Sequence, residues 1–248
     1  TSTRRLATLP PSILQLNFKN SHDSIVATAP HVADCHHYGT GPLRTGLPTI
    51  VDIFPMDNKT RYNGDMTRTV VNGTPSDEAI RMHTTVCEAK AAGCISLKPG
   101  TTGEAVHLST TAVLEEHGFA LIRGDTDHDT RLPFMSHGTG HGIGLEVHEP
   151  ILLDHGGGEI FENELFTVEP GLYSSTLGGG RGGDLWMEIV AEKERPEDHA
   201  APDAKHAREH AREERDERQR AAAAYTQTLE QRADLQCEQY SKLSLIHI

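Results

Sequence analysis

Positive charge is scarce in this 248-residue chain: 23 Lys and Arg face 36 Asp and Glu, leaving a net charge of −13. That balance argues against nucleic acid or an anionic membrane as a partner. Cysteine is also sparse. The four, at positions 35, 87, 94 and 237, have no metal-knuckle spacing, which excludes a thiolate zinc site. Cys87 and Cys94 lie seven apart in a stretch that reads as helix and are expected as buried thiols on one face. No apolar run approaches the roughly 20 residues needed to span a bilayer. The opening T-S-T-R-R-L-A-T-L-P-P has too short an apolar segment for a secretion signal, so a reducing cytoplasm is the expected setting.

Against these absences stands one concentrated run, S-H-G-T-G-H-G-I-G-L-E-V-H-E, from Ser136 to Glu149. It sets His137, His141 and His148 among Gly138, Gly140, Gly142 and Gly144. Glycine can take φ > 0 and admits close neighbours, so a tight path could bring the imidazoles together. Imidazole is the commonest nitrogen ligand for a divalent metal. Acids in apolar surroundings supply the complement. Asp52 interrupts the strand-like run Thr49 to Phe54, and Asp65 opens a second β-rich run, G-D-M-T-R-T-V-V. The turn residues Asp57-Asn58-Lys59 and Asn63-Gly64 between them predict a hairpin with Asp52 and Asp65 side by side. Glu169 ends a third apolar strand, stopped by Pro170-Gly171. An acid inside an apolar strand is costly to bury unless a cation or donor meets it. One metal site explains all three, and oxygen-rich ligands with one imidazole suit Mn, Co, Fe or Zn.

Between these groups the chain predicts two helices. One starts at Thr74-Pro75 with Asp77, runs through Ile80, Val86, Cys87, Ala91 and Ile95, and ends near Pro99-Gly100. The other follows Thr101, whose hydroxyl forms a capping-box pattern with Glu104, and carries Val106, Ala112 and Val113 toward a stop at Gly118. Helices between strand groups indicate an α+β domain, with helices covering one face of a curved antiparallel sheet. Residues 1–193 read as one catalytic domain. From residue 194 the composition turns charged and alanine-rich, so 194–248 is expected as a helical or disordered tail.

The segments D-I-F-P with G-D-M-T-R-T, then H-G-T-G-H-G-I-G-L-E-V-H-E, then T-V-E-P-G-L-Y resemble the pita-bread metallopeptidases. That family includes methionine aminopeptidase, X-prolyl aminopeptidase, prolidase and the metal-free creatinase. The motifs stand in the family's order across roughly residues 24 to 190, and the H-G-x-x-H spacing of His137 and His141 is similar to the proline-specific branch. The resemblance implies a pita-bread fold of two halves related by a pseudo-twofold axis. It also implies hydrolysis of an N-terminal X-Pro peptide bond, with two divalent ions, manganese foremost and cobalt, zinc or iron as alternatives. A peptide is the expected partner, and a homodimer is compatible with the chain.

Residue by residue, the resemblance makes Asp52 a ligand of one metal, Asp65 a bridge between two, and His141 and Glu169 ligands of the other. Glu169 would also act as general base. His148 would stand beside the substrate carbonyl, His137 would shape a proline pocket, and His36 would contact the substrate backbone, with His37 the neighbouring alternative. His31 is expected at the surface. One departure concerns the family's second bridging glutamate. Here the stretch is G-G-G-R-G-G-D-L-W-M-E-I-V. Matching on Arg181 puts Gly183 at that position. Matching on Ile189-Val190 puts Met187 there, with Glu188 one place late, so Glu188 could serve only if a bulge restored its direction. Without that carboxylate, the alternatives are a non-catalytic peptide-binding module or a creatinase-like enzyme. The joint presence of Asp52, Asp65, His141 and Glu169 argues against the latter.

Overall fold

The computed structural model describes residues 17–124 and 127–182, and the backbone of 184–187. Residues 194–248, expected as a tail, and the candidate ligand Glu188 lie outside the described residues.

The chain opens with β1 (Phe18–Asn20) and β2 (Ile25–Thr28), followed by a 3-10 turn at His31–Ala33. Next come β3 (Pro48–Ile53), β4 (Pro55–Asp57) and β5 (Met66–Val71). Strand β3 is buried along its whole length, as its near-continuous apolar sequence requires. It is the centre of a sheet ordered β2-β3-β5, antiparallel throughout, in which Asp52 faces Thr67 and Ile53 faces Met66. The expected hairpin therefore forms. Its turn region holds β4 and folds onto the glycine-rich loop, because Asn63 Nδ2 donates to the carbonyls of Gly144 (3.2 Å) and Leu145 (2.8 Å).

Two helices follow, α1 (Asp77–Ser96) and α2 (Gly103–Glu116). Both begin slightly later than the sequence suggests. The cap of α1 is Ser76, whose hydroxyl accepts from Ala79 N at 3.2 Å, in place of Thr74. Thr102 caps α2 by accepting from Ala105 N (3.1 Å), while the Thr101 hydroxyl turns back to Lys98 O (2.7 Å), so no capping box with Glu104 forms. The buried face of α1 is Ala79, Met82, Thr85, Val86, Ala89 and Gly93, whereas Ile80 and Ile95 are 51% and 69% exposed. Cys87 is exposed and Cys94 half-buried, contrary to the expected buried pair. Close helix packing at one end sets that face: a Cβ on Gly93 would fall 2.6 Å from Thr110 Oγ1 of α2, so the side of α1 that carries Gly93, Ala89, Val86 and Met82 faces inward and the isoleucines lie off it.

The remaining strands are β6 (Ala120–Leu121), β7 (Phe134–Met135), β8 (Gly140–Gly142), β9 (Glu149–Leu153), β10 (Leu165–Val168), β11 (Gly171–Ser174), β12 (Gly178–Arg181) and β13 (Asp184–Met187). They form two sheets, ordered β13-β10-β8-β9 and β12-β11-β7-β6. Met82, Val86, Ala89, Leu114, Phe119, Met135 and Leu172 pack the helices onto the second sheet. Each large apolar side chain buried there stabilises by about 1.5–3 kcal/mol. The run Gly178 to Gly180 lets β12 lie against β3, since a Cβ on Gly178 would meet Pro48 O at 2.8 Å and one on Gly179 would meet Ile50 Cδ1 at 2.9 Å. Thr69 Oγ1 then joins the sheets, donating to Arg181 O (3.0 Å) and accepting from Arg181 N (3.1 Å). This α+β arrangement sets β3, β5, β8, β10 and β12 around one cleft.

Candidate metal centre

The cleft, of about 200 Å³, is lined by Asp52, Asp65, His141, Glu169 and Arg181, with His36, His137 and His148 around them. Four strands supply the polar cluster. Asp52 sits on β3, Asp65 just before β5, His141 on β8, and Glu169 immediately after β10. All four are 8% exposed or less. One donor atom from each of Asp65, His141 and Glu169 lies within 4.8 Å of the others. His141 Nε2 is 3.0 Å from Glu169 Oε1 and 3.7 Å from Asp65 Oδ2.

Local structure fixes these side chains. The glycines around His141 keep negative φ, unlike nine other glycines of the described residues. Their use is close approach: a Cβ on Gly140 would fall 2.0 Å from Thr167 O, so only glycine lets β8 sit against β10. Thr167 Oγ1 accepts from His141 N (3.1 Å) and donates to Glu169 Oε1 (2.8 Å), while Glu169 N donates to Thr139 O (2.7 Å). His141 Nδ1 lies 2.9 Å from Gly142 O. A proton on Nδ1 satisfies that carbonyl and turns the Nε2 lone pair toward the carboxylates, the orientation of a metal-ligating imidazole.

Electrostatics points the same way. Burial pushes the Asp65 carboxyl well above the usual range, aided by the charges of Glu169 and Asp52. Burial also raises Asp52, with Arg181 opposing. For Glu169 burial is outweighed by the hydrogen bond to His141 and the charge of Arg181, which hold it far below the carboxylate range. His141 is raised despite burial, because Glu169 favours its protonated form. Two buried carboxylates therefore compete for a cation at the imidazole, and the oxygen and nitrogen donors suit a divalent ion.

The surrounding residues divide by position. His148 is exposed at the rim, its ring 4.1 Å from that of His141, and burial followed by the charge of His141 lowers its pKa. His36, not His37, lines the cleft; His37 stacks on His31 at 4.5 Å instead. His31 is half-buried, with Nε2 3.0 Å from Thr40 Oγ1. His137 Nδ1 is 2.7 Å from Gly138 O and its Nε2 is 2.5 Å from the Tyr173 hydroxyl, and burial lowers its pKa to about 4. It is thus a neutral ring, donating from Nδ1 and accepting the phenol proton at Nε2. Asp34, Cys35 and His36 also bring ligand atoms within 4.8 Å, but they are consecutive residues of which Asp34 and His36 are exposed.

Sequence reasoning missed the residues that hold the acids. Arg181 served there only as an alignment marker, yet it is 5% exposed and pairs with Asp52 Oδ2. It also donates to Thr67 Oγ1 from Nε (3.1 Å) and Nη2 (3.0 Å) and lies 3.6 Å from Glu169 Oε2. Tyr173, fully buried, stands between Arg181 and His137. The available signal was a lone arginine in a glycine strand, which a buried acid elsewhere in the chain could have claimed.

The sequence profile of metallopeptidase family M24 matches residues 12–190. The chain belongs to metallopeptidase family M24. An Xaa-Pro dipeptidase of Pyrococcus furiosus is 30% identical over 165 residues, which cover 66% of this chain and 43% of that protein. The chain thus spans less than half of this M24 relative's length. Among solved M24 structures, the prolidase of Pyrococcus horikoshii OT3 superposes with a TM-score of 0.64 at 25% identity, covering 76% of this chain and 52% of that one. An X-prolyl aminopeptidase of Caenorhabditis elegans, described as a cytosolic enzyme with a di-nuclear active site, gives 0.55 at 30% identity, covering 70% and 27%. The architecture is the pita-bread fold expected from the motifs, and M24 is a metal-dependent family. No helix of the described residues is long and apolar enough to cross a membrane.

Proposed function

We propose that this chain carries the catalytic centre of a metal-dependent peptidase that cleaves X-Pro bonds at a substrate N-terminus. The observation that carries this reading is the convergence of Asp65, His141 and Glu169 at the floor of the histidine-lined cleft. The names of the Pyrococcus and Caenorhabditis relatives support the substrate class. Asp65, His141 and Glu169 would hold the metal, manganese foremost, with Asp52 beside them. A divalent ion there would supply Lewis acidity, acidifying a water molecule and polarising the scissile carbonyl.

The chain's own residues do the rest. Glu169, ionised across the physiological range, accepts the proton of the attacking water and passes it to the leaving nitrogen. His148, at the rim beside His141, donates toward the carbonyl oxygen as charge builds there. His36 holds the substrate backbone. His137, neutral and fixed by Tyr173 and Gly138, offers a proline ring an uncharged wall. A cleft of about 200 Å³ is below the roughly 300 Å³ at which drug-sized pockets begin, so it suits one or two residues at a peptide end. Residues 1–193 form the catalytic unit in this reading, and 194–248 an appendage.

The test is hydrolysis of an X-Pro dipeptide and an X-Pro-Y tripeptide by the manganese-loaded chain, with X-Ala peptides as controls. Cleavage of the proline peptides alone, abolished by a chelator, is expected. Binding of X-Pro peptides without cleavage would instead identify a peptide-binding module.

A further inference from the structure

We propose that Asp34, Cys35 and His36 form an exchangeable metal site at the cleft rim, which takes zinc or another thiophilic divalent ion and slows the enzyme by holding His36. Binding needs only this segment; the inhibition rests on the metallopeptidase reading.

Each of the three residues brings one ligand atom within 4.8 Å of the other two. Cys35 Sγ lies 3.8 Å from His36 Nδ1. Two such atoms on one tetrahedral zinc stand about 3.5–3.6 Å apart, given bond lengths of roughly 2.3 Å to sulfur and 2.0–2.1 Å to nitrogen. The Asp34 carboxylate is turned the same way, its Oδ1 accepting from His36 N at 3.0 Å. The surroundings keep the segment in this shape. Val32 is buried, Cys35 packs against the core cluster that contains Ile50, Phe54 and Tyr173, and the His37 ring stacks on His31.

The donors differ in kind from those of the buried centre. Cysteine spacing excludes a knuckle of several thiolates, whereas this site uses one, beside an imidazole and a carboxylate. That set suits zinc, while manganese favours carboxylate oxygen and water. Binding displaces the Cys35 thiol proton to solvent. Asp34 and His36 are exposed, so an ion enters from solution and keeps a position open to water. Such a site exchanges its metal and does not lock the fold.

His36 is also a wall of the cleft, so one ring serves both places. An ion on Nδ1 pins the imidazole and sets a positive charge beside the group that holds the substrate backbone. Asp65, His141 and Glu169 lie on other segments and keep their own metal. The expected kinetic mark is a higher KM with kcat kept, as for loss of binding shared by ground and transition states.

The experiment compares the parent with Cys35→Ser, checked for folding by circular dichroism. Cobalt chloride should give the parent a thiolate-to-cobalt charge-transfer band in the near ultraviolet, absent from Cys35→Ser. After equilibration with zinc chloride, elemental analysis should find one more zinc per parent chain than per Cys35→Ser chain. Asp34→Asn, which keeps an oxygen for the His36 amide, should weaken cobalt binding by about tenfold or more. Zinc should raise KM for an X-Pro peptide in the manganese-loaded parent and leave Cys35→Ser unchanged. No band, or a band that survives Cys35→Ser, would overturn the site and leave the metallopeptidase reading standing. An equal zinc effect on both chains would overturn the inhibition by placing it at the buried centre. A parent that shows the band yet neither binds manganese nor cleaves peptide would remove the metallopeptidase reading and leave the rim site standing.

Discussion

The rings of His141 and His148 lie tilted at 50° with their centroids 4.1 Å apart, yet they do different work in this account. His141 is buried and faces two carboxylates, whereas His148 is exposed at the cleft rim. His141→Ala should therefore abolish metal binding and activity together. His148→Ala should keep the metal and lower kcat by about 10²–10³, the range seen when one donor to a developing oxyanion is removed. Equal metal loss in both variants would contradict the division. His107, away from the cleft chemistry, provides a pH prediction. Its ring faces Thr139, Arg123, Asp154, His155 and Glu104, and burial lowers its pKa from 6.5 to about 4, with Asp154 opposing. Between those values the unfolded chain binds a proton that the folded chain does not, so stability falls as pH drops through the window. Urea midpoints at pH 6.5 and 4.5 should converge in His107→Asn relative to the parent, by an amount worth about 1–2 kcal/mol.

At the scale of elements, the seam between β8 and β10 controls the site. Gly140→Ala would press a methyl against Thr167 O, a backbone atom with no rotamer to escape into, and would push His141 from Thr167 and Glu169. Overpacking of this kind costs about 1–3 kcal/mol, so Tm should fall by roughly 3–10 °C with metal affinity falling alongside. A calorimetric scan showing an unchanged Tm would remove the seam argument. The acids and histidines of this seam were legible in the sequence because each sits in a contiguous motif whose apolar flanks make it conspicuous. Their supports were not. Arg181 lies 129 residues from Asp52 and 112 from Thr69, and no local pattern announces such pairings. The helices were legible as helices, but the inward face of α1 was not. The close approach of Gly93 to Thr110 turns inward the side that carries Met82 and Val86, and it leaves exposed the isoleucines that hydropathy alone would bury. Cap positions slipped by one or two residues because Thr74, Ser76, Thr101 and Thr102 all offer a suitable hydroxyl, and only the chain path chooses among them.

For the whole molecule, the sheets meet so that strands far apart in sequence deliver one charge each to a common point. Residues 1–193 carry every group the mechanism uses, and 194–248 carry little apolar surface to bury. A chain ending at residue 193 should accordingly keep its Tm within a few degrees. The central claim, that Asp65, His141 and Glu169 form a metal centre, is tested most directly by anomalous scattering from crystals soaked in manganese. The account predicts a strong peak roughly 2.0–2.2 Å from a carboxylate oxygen of Asp65, His141 Nε2 and a carboxylate oxygen of Glu169. A fully soaked crystal with no peak among these three side chains, or with its strongest peak on other residues, would contradict it.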